Sequence, residues 1–329
     1  MTPRTRRTFL AGVAALAAPS VARAQLSQEI VIGLPSTSLG SAMPRLSHEM
    51  GLFARNGLRT RLTVLESASV STGALISGAV QLTQAGSGEQ IAAQAKGQTV
   101  VCIGVAYAGF SQSLVLSKVS AKKTGVAPQA PLADKLKALQ GLTIATTSAT
   151  ASPTFALRRA AANFGVDVRF TYMTQPTFAA ALERGAIDGF IGSAPFSTMS
   201  IAKGLGVMWA NGPGREFPNE AAPANSGLLL VMRNFAKANP EVVGRLVTSF
   251  TQFAEMVVKQ PDDVKAVVAR LFPDLDAATL DLFYALESSS WAFRPVTVAE
   301  MAHDLRFIRE SGVPIPNLDT IDPKELIWP

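Results

Sequence analysis

Asn56-Gly57-Leu58-Arg59-Thr60-Arg61-Leu62, followed by Ala74-Leu75-Ile76-Ser77-Gly78-Ala79-Val80-Gln81-Leu82, has a second copy further along the chain. There the sequence runs Phe164-Gly165-Val166-Asp167-Val168-Arg169-Phe170 and then Ala181-Leu182-Glu183-Arg184-Gly185-Ala186-Ile187-Asp188-Gly189. Gly57 and Gly78 stand 21 residues apart and Gly165 and Gly185 stand 20 apart. Order and spacing agree together, and an internal repeat outranks short local motifs as a guide to fold. A third match precedes each copy, Ile32-Gly33-Leu34-Pro35-Ser36-Thr37 against Ile144-Ala145-Thr146-Thr147-Ser148. Each unit reads strand, helix, strand, helix, strand, which predicts two similar lobes with a cleft between them.

The pattern around these copies is that of an α/β protein. Glu29 to Leu34 is a nearly continuous apolar run, as expected of a strand in a sheet covered on both faces. A helix from about Ser41 to Met50 stops at Gly51, where a residue free to take positive φ ends a helix. Strands follow at Arg61 to Leu65, Val80 to Ala85, Val100 to Val105 and Ser113 to Leu116, with the crossing to the second lobe placed after Leu116. The second lobe repeats the plan with strands at Thr143 to Thr147, Val168 to Met173 and Ala186 to Ile191, and Ser152-Pro153 opens a helix. Gly227 to Met232 reads as a strand that carries the chain back. Beyond it the chain turns helical, and Thr297-Val298-Ala299-Glu300 is a capping box. Strands alternating with helices predict mostly parallel sheets. The divisions expected are residues 1–24 as a leader, 25–117 as lobe 1, 118–228 as lobe 2 with crossovers, and 229–329 as a return strand and helical tail packing on lobe 1.

The 329 residues carry 48% hydrophobic and 16% charged side chains, enough for a sizeable core and for two domains. The formal charge of +6 belongs mostly to the leader, because Arg4, Arg6, Arg7 and Arg23 account for four of the 30 basic residues and leave 26 against 24 acidic ones. No block of Lys and Arg remains to suit nucleic acid. Thr5-Arg6-Arg7-Thr8-Phe9-Leu10 is a twin-arginine pattern, Leu10 to Ala18 is a short apolar run, and Ala22-Arg23-Ala24 is a cleavage site ahead of Gln25. These features predict a periplasmic protein whose signal is removed near Ala24. No Cys follows the leader, and the lone Cys102 has no intramolecular partner.

At this point the chain resembles a known family, the periplasmic substrate-binding proteins of ABC importers for nitrate, sulfonates, taurine and thiamine-like pyrimidines. The match is carried by Glu49-Met50-Gly51-Leu52-Phe53-Ala54-Arg55-Asn56-Gly57-Leu58, Leu75 to Val80, Lys96-Gly97, Leu139 to Ala145, Ala181 to Asp188, Ala194-Pro195 and Ala238 to Val243. The order of these motifs is more specific than any one of them. The chain departs at Gln81, where the family often has Asp, and at Arg45 and His48, where small or apolar residues are common. The resemblance implies a two-lobed type II periplasmic binding protein fold, a small-molecule solute, and a permease and ATPase of an ABC importer as partners of a monomer. The same fold hosts a sulfinate-cleaving enzyme with a nucleophilic Cys and thiamine-pyrimidine synthases with a Cys-rich motif, and neither signature is visible here.

The side chains themselves point to binding and not to catalysis. Two histidines, His48 and His303, and one Cys are too few for a metal site, and Cys102 lies in an apolar strand with no activating neighbour. No cofactor is expected. A polar solute needs only backbone amides at helix N-termini and short hydroxyl side chains, and these follow the strands. In open α/β sheets ligands bind outside the carboxyl ends of the strands, so the candidate ligand residues are Ser36, Thr37, Ser38, Ser41, Gly86, Ser87, Gly88, Tyr107, Thr147, Ser148, Thr150, Ser193 and Phe196. Each hydroxyl also suits a helix cap or turn. Tyr107, Phe110, Phe155, Phe196 and Trp291 could stack on a planar ligand or pack in the core. The expected function is capture of a small anion such as a sulfonate or nitrate. An enzyme acting on a sulfur or nitrogen compound, a receptor for a neutral heterocycle and a sensor that meets another receptor stand as alternatives. Aligning the copies places Gly86 opposite Ser193 and Ser36-Thr37 roughly opposite Thr147-Ser148.

Overall fold

The computed structural model describes residues 28–65, 67–217, 222–273 and 275–329. The expected leader, with its twin arginines and cleavage site, lies outside the described residues. Ten strands follow in order: β1 (Ile30–Leu34), β2 (Thr60–Val64), β3 (Leu82–Ala85), β4 (Val100–Ala108), β5 (Ser113–Ser117), β6 (Thr143–Thr146), β7 (Arg169–Tyr172), β8 (Gly189–Gly192), β9 (Gly206–Ala210) and β10 (Asn225–Met232). They form two five-stranded sheets of the same design, ordered β2-β1-β3-β10-β4 and β7-β6-β8-β5-β9. In the first, β1 pairs in parallel with β2 and β3, while β10 runs antiparallel to β3 and β4. In the second, β6 pairs in parallel with β7 and β8, while β5 runs antiparallel to β8 and β9. Four strands of each sheet therefore point one way and one points back.

The repeat quoted above is this symmetry. Gly57 (φ 71°) and Gly165 (φ 65°) end the helices that precede β2 and β7, and Gly78 (φ 80°) and Gly185 (φ 67°) end those that precede β3 and β8. All four occupy the left-handed region, which a residue with a Cβ enters only at a cost. Each glycine turns the chain from a helix back toward the sheet, so the two lobes share their turns as well as their strands.

The reversed strand of each sheet comes from the far side of a crossover, and one boundary differs from the expected one. β5 belongs to the second sheet, so the chain crosses between lobes at residues 109–112, before Ser113, and not after Leu116. The return crossing precedes β10, and the two crossings touch: Ser226 donates its amide to the Gly109 carbonyl at 2.9 Å, and its hydroxyl accepts from the Ser111 amide at 2.9 Å.

Helices cover both faces of each sheet, which lets β1, β3, β4 and β5 be almost wholly apolar or buried. The tail packs on the first lobe. Its long helix Pro240–Lys259 buries Val242, Val243, Leu246, Phe250, Phe253 and Val257, a stripe at helical spacing. Phe250 meets Phe53 edge to face at 5.4 Å between ring centroids. Trp291, also in the tail, donates its Nε1 hydrogen to the Leu39 carbonyl at 3.1 Å and so holds the loop after β1. The final helix Val298–Glu310 carries the expected capping box, with Thr297 and Glu300 each satisfying the other's backbone amide. No helix among the described residues is long and apolar enough to cross a membrane.

Candidate functional site

The loops after β1 and β3 face those after β6 and β8 across the cleft, but crosswise and not in the equivalent pairs expected from the repeat: Gly40 of the β1 loop abuts Ser193 after β8, and Gly86 after β3 abuts Ser152 after β6. The contacts between them show the lobes closed. Leu39 of the first lobe donates its amide to the Ala194 carbonyl of the second at 2.7 Å. Gln175 Nε2 donates to Ser36 Oγ at 3.2 Å. Ser148 Oγ and Thr150 Oγ1 reach Glu89 Oε1 at 3.3 and 3.5 Å, and Ser69 Oγ lies 3.0 Å from Thr150 Oγ1. Between these contacts lies a cavity of about 60 Å³.

Four of the candidate residues line this cavity: Ser36, Ser41, Gly86 and Thr147. Ser148 and Thr150 stand behind it and act through Glu89. Ser193 is buried beside the cavity, where its amide donates to Gln175 Oε1 at 2.8 Å. Gly88 is pressed against the Phe155 ring and the Thr150 carbonyl, and Ser38 is buried with its amide on Ser36 Oγ. Ser87 binds the buried Asp304 of the last helix. Thr37 and Phe196 line a separate cavity shared with Arg45 and Phe272.

Tyr107 lies outside the cleft as well. It is buried in the first lobe and donates its hydroxyl to the buried Glu287, so an aromatic ring following a strand here serves the core. The other aromatics pack likewise: Phe110 on Phe217, and Trp291 against Phe253 and Tyr284. Arg45 lies over the Phe272 ring, 5.7 Å from its centroid, and is not among the residues lining the cleft.

The polar groups that dominate the cleft are ones the hydroxyl pattern did not select: Gln84, Glu89, Gln112 and Gln175. Gln84 lies within the short buried strand β3, Gln112 sits at the crossing, and Gln175 joins the lobes. Ser226 places its hydroxyl 3.4 Å from Gln112 Oε1, so the floor of the cleft is the crossover itself. A glutamine inside a buried strand, Leu82-Thr83-Gln84-Ala85, was the available sequence signal.

Among the described residues, Glu89 is the one ionisable residue lining the cavity. It occupies the first turn of the helix Ser87–Gln94 and is 3% exposed. Burial pushes its carboxyl up to about 8, against the opposing pull of its own amide and the hydroxyls of Ser148 and Thr150. Oε2 has no hydrogen-bond partner among the described residues. In Cys102 burial likewise pushes the thiol up to about 12, and its sulfur donates to the Gly104 carbonyl at 3.3 Å. A buried thiol of that kind packs as a small hydrophobe and is not a nucleophile. His48 Nδ1 meets Thr60 Oγ1 at 2.8 Å and His303 Nε2 meets the Ala222 carbonyl at 3.2 Å, each at a separate place.

The NMT1-like family model matches residues 39–272, which spans most of both lobes and the start of the tail. The chain belongs to the NMT1-like family. Among curated proteins, none matches it in sequence at a significant level. Among solved structures it is similar to the alkanesulfonate-binding protein SsuA from Xanthomonas axonopodis pv. citri bound to MOPS. That pair has a TM-score of 0.73 and 18% identity, over 91% of this chain and 98% of that one. It is also similar to the periplasmic aliphatic sulphonate binding protein SsuA from Escherichia coli, with a TM-score of 0.65 and 18% identity over 91% and 98% of the two chains. The periplasmic nitrate-binding protein NrtA from Synechocystis gives a TM-score of 0.65 at 12% identity, over 86% of this chain and 80% of that one. At these identities the likeness is one of fold, and it is the periplasmic binding protein fold.

Proposed function

We propose that this NMT1-like protein is an exported solute receptor, which closes its two lobes on a small polar molecule and presents it to the permease and ATPase of an ABC importer. One observation carries this reading: two sheets of equal topology aim their strand ends at a single cleft floored by the interlobe crossings. A solute bound there touches both lobes and the hinge at once, so it favours the closed state by its differential contacts. The sulfonate and nitrate receptors of the same fold support the role and set the first solutes to try. The twin-arginine leader supports export to the periplasm, and a monomer suffices because both walls of the cleft come from one chain.

The test is a thermal-shift screen of the mature chain against sulfonates, nitrate, carboxylates and pyrimidines. A ligand that binds only the folded state raises the melting temperature by mass action. Mass spectrometry of the recovered solute then separates binding from catalysis, since a receptor returns it unchanged. A screen in which no class shifts the melting point removes this assignment.

A further inference from the structure

The cleft is short of hydrogen-bond donors. Three buried polar groups that line it have no partner among the described residues: Glu89 Oε2 and Gln84 Oε1 from the first lobe and Ser152 Oγ from the second. These residues are 3%, 2% and 4% exposed. The orientation of Gln84 follows from its neighbour, because Nε2 donates to the Gly40 carbonyl at 2.7 Å and a carbonyl only accepts. Its Oε1 is therefore the atom left over. Carboxylate and amide oxygens both seek a donor, and among the described residues no Lys, Arg or His lines the cavity to provide one. A bare anion such as nitrate brings only acceptors, so it would leave the Gln84 oxygen unmet and keep Glu89 in its uncharged, protonated form.

We propose that the solute bears an amino group, which enters the first-lobe wall of the cleft and donates its hydrogens to Glu89 Oε2 and Gln84 Oε1. This rests on the receptor reading above and narrows it to a class. A protonated primary amine carries three donors and no acceptor, matching the three unpartnered oxygens of Glu89, Gln84 and Ser152 that line the cleft. The high proton affinity of Glu89 fits a carboxyl buried without a cation. An amine would supply that cation and return the group to its charged form. The opposite wall has a different character. Thr147 offers a hydroxyl there that suits an acidic or neutral polar end. The class is thus a small amino compound, with aminosulfonates, amino acids and amino-substituted heterocycles as its members.

Matched pairs test the assignment by thermal shift and titration calorimetry on the mature chain. The pairs are 2-aminoethanesulfonate with ethanesulfonate, 3-aminopropanoate with propanoate, and 4-aminopyrimidine with pyrimidine, with nitrate as the bare anion. The amino member of at least one pair binds, and its counterpart binds about a hundredfold more weakly, since it forgoes hydrogen bonds to a charged group worth about 1.5–3 kcal/mol. Glu89→Gln lowers affinity for the amino member by a similar factor. Gln84→Leu lowers it less and provides a second reading if Glu89→Gln does not fold. Equal affinity within every binding pair, or full amine affinity in Glu89→Gln, overturns the proposal. Binding of amine-free members alone overturns the amine and leaves the receptor standing. No binding by any compound overturns both.

Discussion

Gln175 of the second lobe donates its side-chain amide to Ser36 Oγ of the first at 3.2 Å, while its carbonyl oxygen accepts the Ser193 amide at 2.8 Å. The inner bond fixes the orientation of the glutamine, and the outer one exists only when the lobes are closed. Gln175→Leu keeps the volume and removes both. The loss of one closed-state hydrogen bond weakens solute binding by roughly two- to tenfold. The buried Ser193 amide, left unpaired, lowers unfolding stability by about 1–3 kcal/mol. Calorimetric titration and urea unfolding measure the two effects separately, and unchanged affinity would remove Gln175 from the closure contacts.

Gly88 allows the lobes to meet. A Cβ built on it would lie 2.5 Å from the Thr150 carbonyl oxygen and 2.4 Å from Phe155 Cε2, both on the second lobe. A carbonyl cannot rotate away as a side-chain tip would, and Phe155 is fully buried. Gly88→Ala should therefore hold the cleft partly open, lowering affinity by about tenfold or more through an overpacking cost of roughly 1–3 kcal/mol. Small-angle X-ray scattering checks it directly: the wild type contracts on adding solute and the variant does not.

How far the sequence could be read differs between fold and site for a physical reason. The paired glycines, Gly57 with Gly165 and Gly78 with Gly185, report local backbone geometry, so the repeat shows them without tertiary information. Ser36, Gly86 and Thr147 were legible as cleft residues because they follow strands within two residues, and Ser41 because it lies in the loop that leads from β1 into the next helix. Glu89 was not legible, since an acid in a helix's first turn ordinarily sits in water and favours the helix dipole. Its burial is imposed by the loop Thr147 to Thr150, which comes from the other lobe and folds over it. Tyr107 misled for the converse reason: its partner Glu287 lies 180 residues away in sequence.

Thr147 lines the cavity from the second lobe and is partly accessible to it, whereas Ser193 is buried behind it with its hydroxyl 3.4 Å from Gln112 Nε2. Thr147→Ala is expected to weaken binding several-fold, the scale of one hydrogen bond of about 1 kcal/mol, with little change in unliganded stability. Ser193→Ala should affect binding less, because that contact is long and the amide holding Gln175 remains. Melting curves and titrations of both variants decide the roles. Equal loss of stability with intact affinity would make Thr147 a structural cap.

Tyr107 and Glu287 form a buried pair remote from the cleft. Burial pushes the Glu287 carboxyl up to about 7, with the Tyr107 hydroxyl pulling it partly back. Tyr107→Phe removes that donor and leaves a buried acid unmet. Unfolding stability should fall by about 1–3 kcal/mol, while solute affinity measured on the folded variant stays at the wild-type value. A drop in affinity without a drop in stability would place Tyr107 in the binding site after all.

The buried acids give the empty receptor an unusual stability profile. Burial raises Glu89 to about 8, Glu287 to about 7 and Asp304 to about 6. Each binds its proton more tightly in the folded state than in the unfolded one. Their contribution is fully present below the ordinary carboxylate range and is lost as pH rises through 6 to 8. Glu300 runs the other way. Burial alone would raise it, but Arg294, Thr297 and Asn225 hold it at about 2, so its stabilisation is present above 4.5 and disappears as pH falls toward 2. The melting temperature of the unliganded protein should peak near about pH 4 and decline toward about pH 8.5. Glu89→Gln should flatten the upper end of that decline, because Glu89 is the last of the three acids to ionise. A melting temperature that rises steadily from pH 5 to 8 would show that these carboxyls are not held protonated by the fold.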